Sequence, residues 1–532
     1  MKFAFGWILG AATLVLLSCA TALTIYERGD ESWFLRVLQR VNTGETLYSD
    51  VYYPLLPLAI YVGAAVTSVF GPNFLVLQAL FFTCFIATVW VCDSIARQLE
   101  VRPIARALLL VALCVWSSPM AIEHGTSLYQ PLATLFLLLC LRAVLAWSSP
   151  AAGEARHARL TLAAVAAGAG FATKDQIGAL TLVALLVSVA IVAVHRRLPV
   201  ARLLRTSIAI VVVFTVTVLV TVVPVMLSGA FDHFAEYFLV EREAFIRTAY
   251  ISYLRGVARF FQSVSDLAFI RDPMEVVRYS LFLVAPAVVA LLVATLVRAR
   301  GEDKVPVGVM LAFTAGALLT VFPRSDVEHV VFVSAMMAVG LVFAVDRLFR
   351  LPPLRNAICG VFLLGLGAGF AEALWASAVR VFILDYRFLR LPHFQYAMAH
   401  PSEIESLRRV RQKLVAVASD GPLLLATHEA GFLYLITGIK NPTSIDYPMV
   451  ASMGKDGEAR MIRSIQSRQI SFVCFRPYPD ASLRPLRLQT FIETKMQFVS
   501  DLDFCTLYKT VDIDSPKSAR PQLHPFPAPN GS

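Results

Sequence analysis

Asp30 and Glu31 stand side by side just beyond the uncharged run of residues 3–26, after Glu27, Arg28 and Gly29. A carboxylate at such an edge, within hydrogen-bond reach of a hydroxyl or an amine, acts as a general base. A like-charged neighbour raises the pKa of one member of the pair unless a cation or metal ion offsets it. Other chemistry-bearing residues lie at the ends of further apolar runs: Glu123 with His124, Lys174 with Asp175, and the group Arg324, Asp326, Glu328 and His329. Guanidinium and ammonium groups stabilise a phosphate that gains charge as it departs. Carboxylates and imidazoles hold a divalent ion against such a phosphate. Each group also has a plainer reading. Asp30 caps the helix that follows and Glu31 favours its N-terminus. Glu123 and His124 hydrogen-bond in a polar turn, Asp326 pairs with Arg324, and Lys174 pairs with Asp175. The ligand spacing is unspecific for a metal, whereas ionisable groups at a membrane edge favour function.

The elements that must position these residues are apolar. The 532 residues are 57% hydrophobic and 16% charged, and the mean hydropathy is positive, which describes a membrane protein rather than a soluble domain. Met1 and Lys2 lead straight into the first run, which continues past the small residues at 18–20 and so reads as an uncleaved helix rather than a signal peptide. The net charge of +10 does not indicate nucleic acid, because Lys and Arg fall in short segments between apolar runs, as topology signals do. Cys19, Cys84, Cys92, Cys114, Cys140 and Cys359 lie inside apolar runs as packing residues, without a CxxC pair. Cys474 and Cys505 lie in the polar C-terminal part, where a disulfide forms if that part faces an oxidising compartment.

Apolar runs recur at 4–25, 55–70, 73–92, 105–121, 126–146, 159–173, 176–194, 206–228, 279–297, 305–322, 329–345 and 356–378. Basic loops alternate with them only if one run does not cross, and 55–70, short and flanked by Pro54, Pro57 and Pro72, is that one. Eleven spans follow, with the N-terminus in the cytoplasm and everything after about residue 380 outside. The segment WFLRVLQRV after Asp30 is an amphipathic helix in the interface plane, with Trp33, Val37 and Val41 on one face, Arg36 and Arg40 beside it, and Gly44 closing it. The long loop 229–278 is a solvated amphipathic surface overhanging the outer face. From 400 to 512 the pattern predicts a small α/β domain, with helices near 402–417, 429–437 and 456–468 and strands near 422–427, 471–476 and 503–510. Residues 513–532 are rich in Pro and polar residues and read as disordered.

The order of these features carries a resemblance. A long first helix, the acidic pair, the amphipathic helix, TGETLYSDVYYPLLPLAIYVGAAVTSVFG, a TKD turn, and FLYLITGIKNPTSIDYP at 432–448 resemble the GT-C glycosyltransferases. The likeness is to bacterial relatives of the family 39 protein O-mannosyltransferases and of the lipid A aminoarabinose transferase. It implies an all-α polytopic bundle with interfacial helices over residues 1–380, and an extracytoplasmic α/β domain over 400–512 in a bacterial inner membrane. It implies transfer of a sugar from a polyprenyl phosphate to a lipid, glycan or protein acceptor, with Asp30 as base and Glu31 beside it. Arg324, Lys174, Arg36 and Arg40 are then the candidates for the donor phosphate. Glu123, His124, Asp326, Glu328 and His329 are those for a divalent metal, which some members of the resembling families use and others do not. A secondary transporter and a surface-glycan polymerase or ligase are the rival readings. No internal repeat and no midplane charge favours the transporter.

Overall fold

A computed structural model describes residues 29–103, 128–149, 156–241, 250–267, 273–348 and 383–511, together with 105, 106, 109, 113 and 379 and apart from 455, 468, 479–482 and 503. The run at 4–25, most of those at 105–121 and 356–378, the pair Glu123 and His124, and the segment 513–532 lie outside the described residues.

The first half of the chain is helical: α1 (Asp30–Asn42), α2 (Leu58–Phe70), α3 (Phe74–Gln98), α4 (Tyr129–Ser148), α5 (Arg156–Thr173), α6 (Asp175–His195), α7 (Val200–Leu227) and α8 (Phe231–Glu236). Then come α9 (Tyr253–Ser265), α10 (Pro273–Arg298), α11 (Lys304–Leu319), α12 (Val327–Phe332) and α13 (Ser334–Leu348). Among the described residues, five helices are long and apolar enough to cross a membrane: Phe74–Gln98, Tyr129–Ser148, Asp175–His195, Val200–Leu227 and Glu275–Arg298. The chain is a multi-pass membrane protein. Helices suit this medium because every backbone polar group is satisfied within the segment. Helices α5, α11 and α13 cover further expected runs. The 13 residues of α2 rise only about 20 Å at 1.5 Å per residue, short of the ~30 Å apolar core of a bilayer.

The turns between helices sort into two ends. The 21 residues of α6 put roughly 31 Å between Lys174 and His195. At the His195 end, basic loops are tied together: His195 lies 3.4 Å from Glu302, Arg347 3.6 Å from Asp303, and Arg102 donates to Asp346 at 2.6 Å. The turns that bear Lys174 and the group from Arg324 to His329 belong to the other end.

That other end carries the C-terminal domain. A two-stranded ladder of β1 (Arg387–Phe388) and β2 (Met398–Ala399) leads into α14 (Pro401–Ser419). Next come β3 (Leu423–Ala426), α15 (Ala430–Thr437), α16 (Val450–Met453), α17 (Gly457–Gln466), β4 (Phe472–Phe475), α18 (Leu486–Lys495), β5 (Gln497–Asp501) and β6 (Thr506–Lys509). The sheet order is β3-β4-β6-β5; β3 and β4 are parallel across the helical crossover, and the other pairs are antiparallel. Gly438 closes α15 at φ 73°, a left-handed cap that a side chain would strain. Cys474 and Cys505 form a disulfide. Cys84, Cys92 and Cys140 are free and buried, as packing residues are. The domain does not hang from a linker. Phe394 packs between Phe74 of α3 and Phe432 of α15, with ring centroids 5.7 and 4.9 Å away, and one apolar core runs continuously from α1, α2 and α3 into β3, α14 and α15.

Candidate functional site

Helix α1 holds the first site residue. Gly29 is its N-cap and contributes no side-chain cap, so Asp30 is the first helical residue and its carboxylate does not cap. Instead the half-buried Asp30 stands beside the hydroxyl of Tyr447, in the loop before α16, close enough for that hydroxyl to favour the ionised carboxylate. The Tyr447 ring stacks on Trp33 at 5.5 Å and 20°. Trp33 lies one turn beyond Asp30 on the same helix face. Tyr478 in turn donates to the Tyr447 hydroxyl.

The second contribution comes from the turn between α11 and α12. Nε of Arg324 donates to Oδ2 of Asp326 at 2.6 Å, and Oδ1 of Asp326 accepts from the backbone N of His329 at 2.9 Å, capping α12. Nδ1 of His329 lies 2.6 Å from the same oxygen. The turn is pinned from outside by Ile251, whose N donates to Pro323 O at 3.2 Å and whose O accepts from Ser325 N at 3.1 Å. Lys174, the N-cap of α6, is the third part. A Cβ on Gly178 would fall 2.0 Å from the backbone N of Phe171, so the α5–α6 turn closes tightly around Lys174. Its ammonium lies 5.7 Å from the Tyr129 ring and 5.9 Å from that of Phe332.

These groups share one electrostatic field. Burial pushes the Asp30 carboxyl above its ordinary range; the Tyr447 hydroxyl and the Arg324 charge pull it down, and Asp326 adds to the rise. Burial pulls the Lys174 ammonium down to about 8, against the carboxylates of Asp326, Asp175 and Glu328. For Asp326, burial is outweighed by His329 and Arg324, which hold it below the usual carboxylate range. Asp30, Lys174, Arg324, Asp326, Glu328 and His329 therefore lie within one electrostatic field at one end of the bundle.

Three expected members have other tasks. Glu31 is buried and accepts from Nε2 of Gln78 at 2.7 Å, which ties α1 to α3. Arg40 donates to Asp446 at 2.7 Å and to Glu45 at 2.6 Å, and Nε of Arg36 lies 3.5 Å from Asp446. Both arginines are buried, so the basic side of α1, expected to lie beside an interfacial apolar face, is covered by the outer domain. Among the described residues no three His, Cys, Asp or Glu side chains form a group that could hold an ion, and Asp326 and His329 bond each other. Glu123 and His124 lie outside the described residues. The sequence carried no sign of Tyr447, Tyr478 or Asp446 as partners of α1, beyond the family likeness of the stretch that holds Asp446 and Tyr447.

The sequence matches no protein-family model and no curated protein. Solved structures do match. ArnT from Cupriavidus metallidurans in the apo state aligns with a TM-score of 0.57 at 15% identity, over 96% of this chain and 98% of that one. The same ArnT bound to undecaprenyl phosphate aligns at 0.56 and 14% identity, over 97% and 100%. This chain has the GT-C fold. An oligosaccharyltransferase from Archaeoglobus fulgidus, in complex with Zn and sulfate, aligns at 0.49 and 10% identity, over 87% of this chain and 67% of that one. Within this GT-C fold, the charged cluster gathers where the bundle meets the C-terminal α/β domain.

Proposed function

We propose that this protein is a membrane glycosyltransferase that moves a sugar from a polyprenyl phosphate to an acceptor hydroxyl or amine outside the cytoplasm. The observation that carries the proposal is the convergence of a half-buried carboxylate, Asp30, with the cations Arg324 and Lys174 at one end of an apolar bundle. In this reading Asp30 takes the acceptor proton as the acceptor oxygen or nitrogen bonds to the anomeric carbon. The bond from that carbon to the phosphate oxygen breaks, and the polyprenyl phosphate leaves with the electron pair. Arg324, held by Asp326 through Nε, offers its remaining N–H donors to the phosphate, and Lys174 adds a second charge where low polarity strengthens it. Arg36 and Arg40 take no part, being engaged by Asp446.

The ArnT structure with undecaprenyl phosphate supports a lipid donor of this class. The disulfide supports an oxidising side for the α/β domain, and the basic loops at the opposite end support a cytoplasmic face there; the inner membrane of a bacterium is the matching location. The test is Asp30→Asn, assayed in nanodiscs with labelled undecaprenyl-phosphate monosaccharides and envelope lipids as acceptors. Turnover is expected to fall by about 10²–10⁴-fold while undecaprenyl phosphate still binds. Unchanged turnover in a folded variant overturns the assignment.

A further inference from the structure

Asp30 belongs to α1, yet the hydroxyl beside it belongs to the outer domain, on a ring stacked over Trp33 one turn along the helix. Two consecutive residues of that domain grip one helix at two levels: Asp446 takes Arg36 and Arg40, and Tyr447 stacks on Trp33 with its hydroxyl beside Asp30. The approach is backbone to backbone. A Cβ on Gly431 would stand 2.8 Å from both N and Cα of Trp33, so α15 lies directly against the first turn of α1. Tyr447 is itself oriented. Its ring is stacked on Trp33, and its hydroxyl oxygen accepts from Tyr478, which directs its own proton toward the carboxylate. Tyr478 is anchored in turn: Nε of Arg484 donates to its carbonyl at 2.6 Å, and its ring meets that of His428 at 5.6 Å.

We propose that the C-terminal domain is a working part of the catalytic centre, in which Tyr447, oriented by Tyr478, is a positioning residue that donates to Asp30 and sets both the direction of its carboxylate and its readiness to accept a proton. The site is then complete only when the domain is docked on α1. This inference rests on the reading of Asp30 as base. Its physical content is separable from that reading, because a hydrogen bond to a carboxylate stabilises the ionised form whatever the carboxylate does. Among the described residues, the groups that face Asp30 are Tyr447 from the domain and Arg324 and Asp326 from the turn before α12; Lys174 and His329 lie near Asp326. Tyr447 stays protonated, since burial and the Asp30 charge push its hydroxyl well above the ordinary phenol range. Removing that hydroxyl leaves burial and Asp326 opposed by Arg324 alone, and the carboxyl of Asp30 must then titrate at higher pH.

The experiment is an infrared difference titration of the full-length protein in nanodiscs. The carbonyl stretch of protonated Asp30 is assigned as the band absent from Asp30→Asn. In Tyr447→Phe its midpoint is expected to move upward by about one to two pH units, the equivalent of one hydrogen bond to a charged group. Tyr478→Phe is expected to move it the same way by less. The acid limb of kcat/KM for transfer from undecaprenyl-phosphate monosaccharides is expected to follow the midpoint. A purely structural role for Tyr447 lowers the melting temperature and leaves the titration in place, so an unmoved midpoint in folded Tyr447→Phe overturns the proposal. If that variant fails to fold, an unmoved midpoint in Tyr478→Phe does the same. If instead the midpoint moves while Asp30→Asn keeps full turnover, the base assignment falls and the coupling between Tyr447 and Asp30 stands.

Discussion

In the proposed site, Lys174 is a cation whose charge changes within the working pH range. Its ammonium, pulled down to about 8, is charged below that value and neutral above it. A cation that binds a phosphate contributes only while charged, so affinity for undecaprenyl phosphate is expected to fall as pH rises through about 8. Lys174→Arg keeps its charge throughout and should flatten that dependence, as isothermal titration between pH 6.5 and 9.5 would register. Arg324→Ala should weaken the same binding by about 1.5–3 kcal/mol, the usual loss for a charged hydrogen bond, at every pH in that range. The identity of these residues was legible because charges at the ends of apolar runs are few, and each one needs a reason. The tasks of Glu31, Arg36 and Arg40 were not, because they depend on Gln78 and Asp446, and no periodicity along the chain reports what will fold against a given helix face.

Helix α1 shows the same limit one scale up. Its boundaries were readable: the apolar positions, the acidic first turn and Gly44, observed at φ 93° two residues past the last helical one. Its environment was not. An amphipathic helix with two arginines beside its apolar face looks interfacial, but here that side is buried under Asp446, with Arg40 4% and Asp446 1% exposed. Asp446→Ala leaves Arg36 and Arg40 without their shared carboxylate and should cost about 3–5 kcal/mol, as breaking a buried pair does. Glu45 still partners Arg40, which favours the lower end of that range. Gly431→Ala should destabilise by about 1–3 kcal/mol through overpacking against the α1 backbone. Both losses would appear as lower melting temperatures in detergent. The elements of the outer domain were largely visible from short apolar runs and glycines, whereas α16, α18 and β5 were missed: Gln497–Asp501 is exposed along most of its length and lacks the alternation that marks a strand.

For the molecule as a whole, the disulfide between Cys474 and Cys505 closes a loop with a sequence separation of 31. Replacing either cysteine by Ser should lower stability by about 2–4 kcal/mol, and maleimide labelling of the native protein should reach neither thiol before reduction. The joining of bundle and outer domain through one apolar core has a further consequence, for biogenesis. Asp446 lies 406 residues after Arg40, its partner. At about 5–20 residues per second, a ribosome needs roughly 20–80 s between the two. Throughout that interval α1 has left the translocation machinery with its arginines uncovered and Asp30 lacking its tyrosine. On the proposed function, a nascent chain can therefore insert its bundle while remaining inert, and competence arrives only once Asp446 and Tyr447 have been made and docked on α1.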